Sequence, residues 1–133
     1  MLYDSLTLNI IVHKYGLSFR KSIMTHPKAI AAAKNLGLDL VEYKNFLLEL
    51  ETSFLELSND AKNELMKNNG TGASEIIHSI KGSVGSLGLL ETHSFCQIIE
   101  KEYKKGVNEK SMVLFEEFIR IYTKEFNEIK QDL

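Results

Sequence analysis

The feature that most constrains the fold is a long run of apolar residues spaced alternately four and three positions apart. It consists of Tyr43, Leu47, Leu50, Phe54, Leu57 and Ala61. Residues at this spacing lie on one side of an α-helix, so the run predicts a long helix with one face buried against other helices. Asp39 and Glu42 ahead of it form the sequence pattern of a capping box. The helix is expected to end near Asn68, Asn69 and Gly70.

Further amphipathic helices are predicted after this one, because apolar residues again recur three or four positions apart. The residues expected on their buried faces are, helix by helix, Ile77, Ile80, Val84 and Leu87; Phe95, Cys96, Ile99 and Tyr103; and Phe115, Phe118, Ile119, Tyr122, Phe126 and Ile129. Thr71 or Ser74 is expected to cap the first of these helices and Asn108 the last. Gly88 and Gly106 are expected at the helix ends between them.

The chain before the long helix is also expected to be helical. Thr25 can cap a short helix that carries Pro27 in its first turn and stops at Gly37. Residues 1–15 and 17–24 suggest one or two more short helices. The whole pattern predicts an all-α fold, an antiparallel up-down four-helix bundle with one or two additional N-terminal helices.

Composition argues against several classes of protein. A chain of 133 residues with 44% hydrophobic residues suits one domain, and a net charge of −2 gives no field that would attract nucleic acid. The sequence has no run of about 18 apolar residues, so no membrane insertion is expected. A single cysteine suits the reducing cytoplasm. No metal site is expected, because His13, His26, His93 and Cys96 lack close ligand spacing. The three histidines are instead expected to be structural or solvent-facing.

The second informative stretch is HSIKGSVGSLG, residues 78–88. On a helix, His78, Lys81, Gly82 and Gly85 fall opposite the apolar face, so the histidine is expected to meet water. A glycine inside a helix costs about 1 kcal/mol relative to alanine. Two glycines, one and two turns after the histidine, remove side chains from the surface beside it. This pattern indicates clearance for a bulky group that approaches the imidazole.

The stretch resembles the histidine-containing phosphotransfer (HPt) domain family. The matching residues are His78, Lys81, Gly82, Ser83, Gly85, Leu87 and Gly88, followed by Cys96 and Glu100 on the next helix. The resemblance covers about residues 27–133 and leaves residues 1–26 as an N-terminal helical extension. It implies a four-helix core with a short preceding helix. It also implies a histidine phosphotransfer protein, which takes a phosphoryl group from a receiver-domain aspartate and passes it to another receiver domain.

On this interpretation His78 is the phosphoacceptor and Lys81 holds the phosphoryl oxygens by charge. Gly82 and Gly85 admit the partner. The implied partners are response-regulator receiver domains and a hybrid sensor histidine kinase, and the Mg²⁺ belongs to the receiver, so the chain needs no cofactor of its own. We expect a carrier without kinase activity, because the sequence has neither a GxxxxGK[ST] nor a GxGxxG nucleotide loop and lacks the H-box of dimerising kinases. The carrier is also expected to be a monomer.

Plainer interpretations stay open for the same residues. His78 and Lys81 can be ordinary surface residues, and the two glycines can serve close packing between helices. Cys96 is most simply a small buried residue, and Glu100 a surface residue or a local partner of a lysine. The chain as a whole can be an interaction module that is never phosphorylated, or an HPt domain of a hybrid or chemotaxis-type kinase.

Overall fold

The computed structural model describes residues 27–131 and 133, and these residues are helical apart from short connections. The helices are α1 (Pro27–Leu36), α2 (Leu40–Met66), α3 (Gly70–Ser86), α4 (Leu90–Lys104) and α5 (Ser111–Gln131). The all-α class is therefore confirmed for this part of the chain, which contains no β-strand. The helices expected before residue 25 and the cap at Thr25 lie outside the described residues.

Helix α2 begins as its sequence predicts. The Asp39 carboxylate accepts a hydrogen bond from the Glu42 backbone N–H at 2.8 Å, and the Glu42 carboxylate accepts one from the Asp39 N–H at 3.1 Å. This reciprocal capping box satisfies two backbone donors that a helix start would otherwise leave without partners. All of the predicted apolar run is buried except Leu57, which is half-buried.

The connection from α2 to α3 has only three residues, Lys67 to Asn69. Asn68 takes a positive φ of 62° and turns the chain, so Asn69 becomes the N-cap of α3 and its side chain accepts from the Gly72 N–H at 3.0 Å. The prediction that Thr71 or Ser74 caps this helix was wrong, because the tight turn starts the helix before either residue. Ser74 is instead buried inside α3.

Helix α3 ends next to Gly88, whose φ of 87° suits glycine, and α1 ends the same way at Gly37 with a φ of 70°. Both endings confirm the predicted positions. Before α5, the Asn108 side chain accepts from the Lys110 N–H at 2.8 Å, so it satisfies a donor just ahead of the helix. None of the described helices combines the length and apolarity that a bilayer span requires.

The helices enclose one core. Helix α3 packs against α2 and α4, and α5 packs against α4 and α2. Phe54 of α2 contacts the rings of Phe118 and Tyr122 of α5. The Tyr43 hydroxyl, at the start of α2, donates to the Leu87 carbonyl at the end of α3. The predicted buried faces of α3, α4 and α5 are confirmed, with Phe95 and Ile119 only half-buried.

Helix α4 has no side-chain cap of its own, since Leu89 stands at its N-cap. The carboxylate of Glu125 on α5 caps this helix instead, and this residue is only 1% exposed. It accepts hydrogen bonds from the Glu91 N–H at 3.0 Å and from the Thr92 N–H and hydroxyl at 2.8 Å each. A negative charge at the start of a helix also interacts favourably with the positive end of the helix dipole. The start of α4 is thus fixed by a neighbouring helix.

We expect Glu125→Ala to lower the free energy of unfolding by about 2–4 kcal/mol, because it leaves buried donors at the start of α4 without an acceptor. Chemical denaturation measures the loss. Glu128→Ala is the matched control, since Glu128 is exposed on the same helix and its removal should change stability by less than about 0.5 kcal/mol. Equal small losses in the two variants would contradict the capping role.

Candidate functional site

The imidazole of His78 stands at the surface of α3, where its side chain is 66% exposed. The apolar face of the helix, with Ile77, Ile80 and Val84, is buried in the core. The expectation that His78 meets water is therefore confirmed. The remaining side of α3, however, does not all face solvent, because part of it packs against α4.

A glutamate from α4 joins two residues of α3. Glu100 Oε1 lies 2.8 Å from His78 Nδ1, and Glu100 Oε2 lies 2.8 Å from Lys81 Nζ. The Glu100 side chain is only 11% exposed, and that of Lys81 21%. The buried Ser74 hydroxyl donates to the Glu100 backbone carbonyl at 2.9 Å, so the carboxylate and its own backbone are both held against α3.

The charge of Glu100 determines the tautomer of the histidine. Burial alone would raise the pKa of the Glu100 carboxyl, but hydrogen bonds from Lys81 and His78, together with their charges, outweigh it and hold the pKa below its usual value. The group is therefore a carboxylate at neutral pH and can only accept. Nδ1 of the neutral His78 ring must carry the proton, which leaves the lone pair on Nε2.

The interpretation of Glu100 as a surface residue was wrong. It is indeed the partner of a lysine, but Lys81 belongs to α3 and is not a neighbour along α4. The sequence held a signal for this placement. Glu100 follows Cys96 by four residues and precedes Tyr103 by three, and both of these are buried, so helical spacing puts the carboxylate on the covered side of α4.

The two glycines of the motif have different surroundings. A Cβ on Gly82 would meet nothing within 4 Å, so the surface beside His78 is open there, as expected. A Cβ on Gly85 would lie 2.6 Å from Nδ1 of His93 on α4. The clearance hypothesis is thus wrong for Gly85, where the space is filled by a packed side chain. The stripe of α3 that carries Gly85 and Lys81 faces α4, which the sequence pattern of α3 alone did not reveal.

Cys96 lies near this cluster but is fully buried, as predicted. Burial raises the pKa of its thiol to about 12; the Glu100 charge adds to this effect and the Lys81 charge partly opposes it. The sulfur is therefore an inaccessible, protonated thiol at neutral pH. Among the described residues, no three potential ligands come together in a way that would hold a metal ion.

An open groove of about 550 Å³ lies where α2 and α3 meet the end of α1. Its apolar lining is Leu36, Leu38, Phe46, Leu50 and Leu87. Phe46 is 47% exposed and Leu36 44%, so apolar surface faces water here. On α3 the groove is bordered by Ser83 and Ser86, which lie on the same side of His78 as Gly82 when the residues are placed around the helix.

Comparison with known families finds one match. Residues 43–132 match the family model described as Hpt domain, which is more than half of the chain. The matched segment begins inside α2 and contains His78, Lys81 and Glu100, whereas α1 precedes it. Searches of curated proteins and of solved structures found no match.

The two motif glycines should respond differently to alanine. Gly82→Ala is expected to raise stability by up to about 1 kcal/mol, because alanine favours the helix and its methyl group meets open space. Gly85→Ala must displace the His93 ring, so we expect it to be less stable than Gly82→Ala by about 1–2 kcal/mol. Thermal or chemical unfolding of the two variants side by side measures the difference, and equal stabilities would mean that His93 moves aside without loss.

The depressed pKa of Glu100 makes part of the stability depend on pH. Its folded pKa lies below the usual value of 4.5, so its contribution is complete above that pH and is lost as the pH falls through the folded pKa. Wild type should exceed Glu100→Gln in Tm at neutral pH, and the gap should close as the pH falls below 4.5 and through the folded pKa. Thermal unfolding of both proteins across this range tests the sign. A gap that stayed constant with pH would show that the carboxylate charge contributes nothing.

Proposed function

Because the chain belongs to the Hpt domain family, whose members carry phosphoryl groups on a histidine in phosphorelays, we propose that His78 is its phosphoacceptor. It takes the group from the aspartyl phosphate of one receiver domain and gives it to the aspartate of another. The observation that carries this proposal is the exposed imidazole whose Nδ1 is held by the Glu100 carboxylate at 2.8 Å. That bond leaves Nε2 as the nucleophilic nitrogen.

The transfer step balances without any added base. The Nε2 lone pair attacks phosphorus, the bond from phosphorus to the aspartate oxygen breaks, and the aspartate leaves as a carboxylate. The ring keeps its Nδ1 proton and becomes a phosphorylated imidazolium. Glu100 stabilises the positive charge that develops on the ring, because a charge-assisted hydrogen bond is roughly twice as strong as a neutral one. The reverse sequence of bond changes delivers the group to the next receiver.

Lys81 is proposed to interact with the transferred phosphoryl group. Its ammonium donates one of three N–H groups to Glu100, within one helical turn of His78. We assign it the stabilisation of the phosphoryl oxygens. Mg²⁺ is assigned to the partner receiver, which leaves the chain a carrier with no cofactor and no kinase activity of its own.

The partner is expected to dock on the side of α3 that carries Gly82. An exposed apolar groove borders α3 on this side and Gly82 keeps the surface beside His78 low. Apolar surface next to a reactive group suits a receiver domain that must bind and leave quickly, so the interface should lie near the low end of the usual size range. Gly82 is therefore assigned to docking, and Gly85 is not.

The contacts between helices support an antiparallel bundle as the platform for this site. Tyr43 joins the start of α2 to the end of α3, Ser74 joins the start of α3 to the end of α4, and Glu125 joins the end of α5 to the start of α4. We assign residues 27–133 to the phosphotransfer module and residues 1–26 to an N-terminal extension. We propose that a hybrid sensor kinase supplies the phosphoryl group and that a response regulator receives it. We also propose that the protein is a cytoplasmic monomer.

Phosphotransfer from a labelled phospho-receiver tests the acceptor. With Mg²⁺ present, wild type should gain acid-labile label, and His78→Gln should gain none because its amide cannot form the phosphorus–nitrogen bond. Ser79→Ala is the matched control, since Ser79 is an exposed neighbour on the same helix. Equal labelling of wild type and His78→Gln would overturn the assignment and favour an interaction module that is not phosphorylated.

The same assay separates the roles around the acceptor. Lys81→Ala should reduce the transfer rate or the lifetime of the phosphohistidine, and Lys81→Arg should do so less because it keeps the charge.

ATP alone should label none of these proteins. Labelling of the purified protein by ATP would contradict the carrier role.

A further inference from the structure

A second histidine contacts the same helix as His78. His93 of α4 places Nδ1 3.1 Å from the backbone carbonyl oxygen of Lys81 on α3. A carbonyl oxygen only accepts, so Nδ1 of His93 must donate. The ring therefore makes a directed bond to the helix backbone between the acceptor histidine and the end of α3.

A glycine at position 85 leaves room for this contact. A Cβ of residue 85 would lie 2.6 Å from His93 Nδ1, so a side chain there would have to displace the imidazole from its present position. Gly85 stands four residues after Lys81, and the two lie on one face of α3. The packing of His93 thus explains why α3 carries a glycine at position 85, although an interior glycine weakens a helix.

The hydrogen bond of His93 and the bonds of Glu100 join the same faces of α3 and α4. His93 and Glu100 are seven residues apart, two helical turns, and so lie on one face of α4. Gly85 and His78 are also seven residues apart on α3. The His93 bond and the Glu100 bridge therefore lie at the two ends of a two-turn stretch of the interface between α3 and α4. The Glu100 carboxylate must keep this register to lie 2.8 Å from both of its partners.

We propose that His93 is a positioning residue, whose hydrogen bond to the Lys81 carbonyl sets the register of α4 and so keeps Glu100 on Nδ1 of His78. The proposal rests on the proposed function, in which Nε2 of His78 is the nucleophile. Among the described residues, the His93 ring bonds to the Lys81 carbonyl and the His78 ring to Glu100, with no hydrogen bond between the two rings. Its effect reaches the reaction through the position of Glu100.

Two substitutions of similar size separate this role from simple packing. In His93→Asn the amide nitrogen is attached to Cγ as Nδ1 is in histidine, so it can still donate to the Lys81 carbonyl. In His93→Leu the space is filled but the donor is lost. Two properties of the whole protein are measured for each: the tautomer of the His78 ring, from its ¹⁵N chemical shifts, and the rate of phosphotransfer from a phospho-receiver.

Wild type and His93→Asn should show His78 protonated on Nδ1. His93→Leu should show a mixture of tautomers and transfer about fivefold more slowly, the factor that corresponds to loss of one ordinary hydrogen bond. Gly85→Ala displaces the His93 ring by a change on α3. It should give the same result as His93→Leu, and it replaces His93→Leu in the test if His93→Leu fails to fold.

A wild-type tautomer and a wild-type rate in both His93→Leu and Gly85→Ala would overturn the proposal, as would equal defects in His93→Asn and His93→Leu. Failure of the proposed function is seen separately. In that case wild type takes no label at all, and the tautomer measurement then decides on positioning alone.

Discussion

The site depends on one carboxylate that is shared between two side chains of a neighbouring helix. Glu100 is largely buried, and a buried charge is stable only when it is paired and hydrogen-bonded. His78 and Lys81 supply those bonds, one to each oxygen, while Ser74 holds the backbone behind it. The bonds that stabilise the buried Glu100 carboxylate also determine which nitrogen of the exposed His78 ring carries its proton.

The surroundings of the His78 ring are therefore set by two helices. Helix α3 carries His78, but α4 carries the group that orients it, and the start of α4 is held by Glu125 from α5. The position of the carboxylate thus depends on packing across three helices. Rigid elements position a site more closely than loops do, and here every residue of the cluster lies on a helix.

Local features were predictable from the sequence, and features made by a second helix were not. The capping box at Asp39 and the apolar run of α2 depend on neighbours along the chain, and both were found correctly. The exposure of His78 followed from the spacing of α3 alone. The spacing along α4 already indicated that Glu100 lies on the covered side, but the partners of Glu100 and the surroundings of Gly85 are decided by how α3 and α4 lie side by side. The cap at Asn69 was missed for a different reason: the turn at Asn68 is tighter than stop signals alone indicate.

The burial of Cys96 has a practical consequence. It is the only cysteine in the chain, it is inaccessible, and its thiol remains protonated at neutral pH. Maleimide dyes and spin labels react with thiolates and need access, so the native protein presents no competing attachment point. A single cysteine introduced on the exposed surface beside the groove would therefore carry a fluorophore at one defined place, and a change in its emission would report any binding partner that covers this surface.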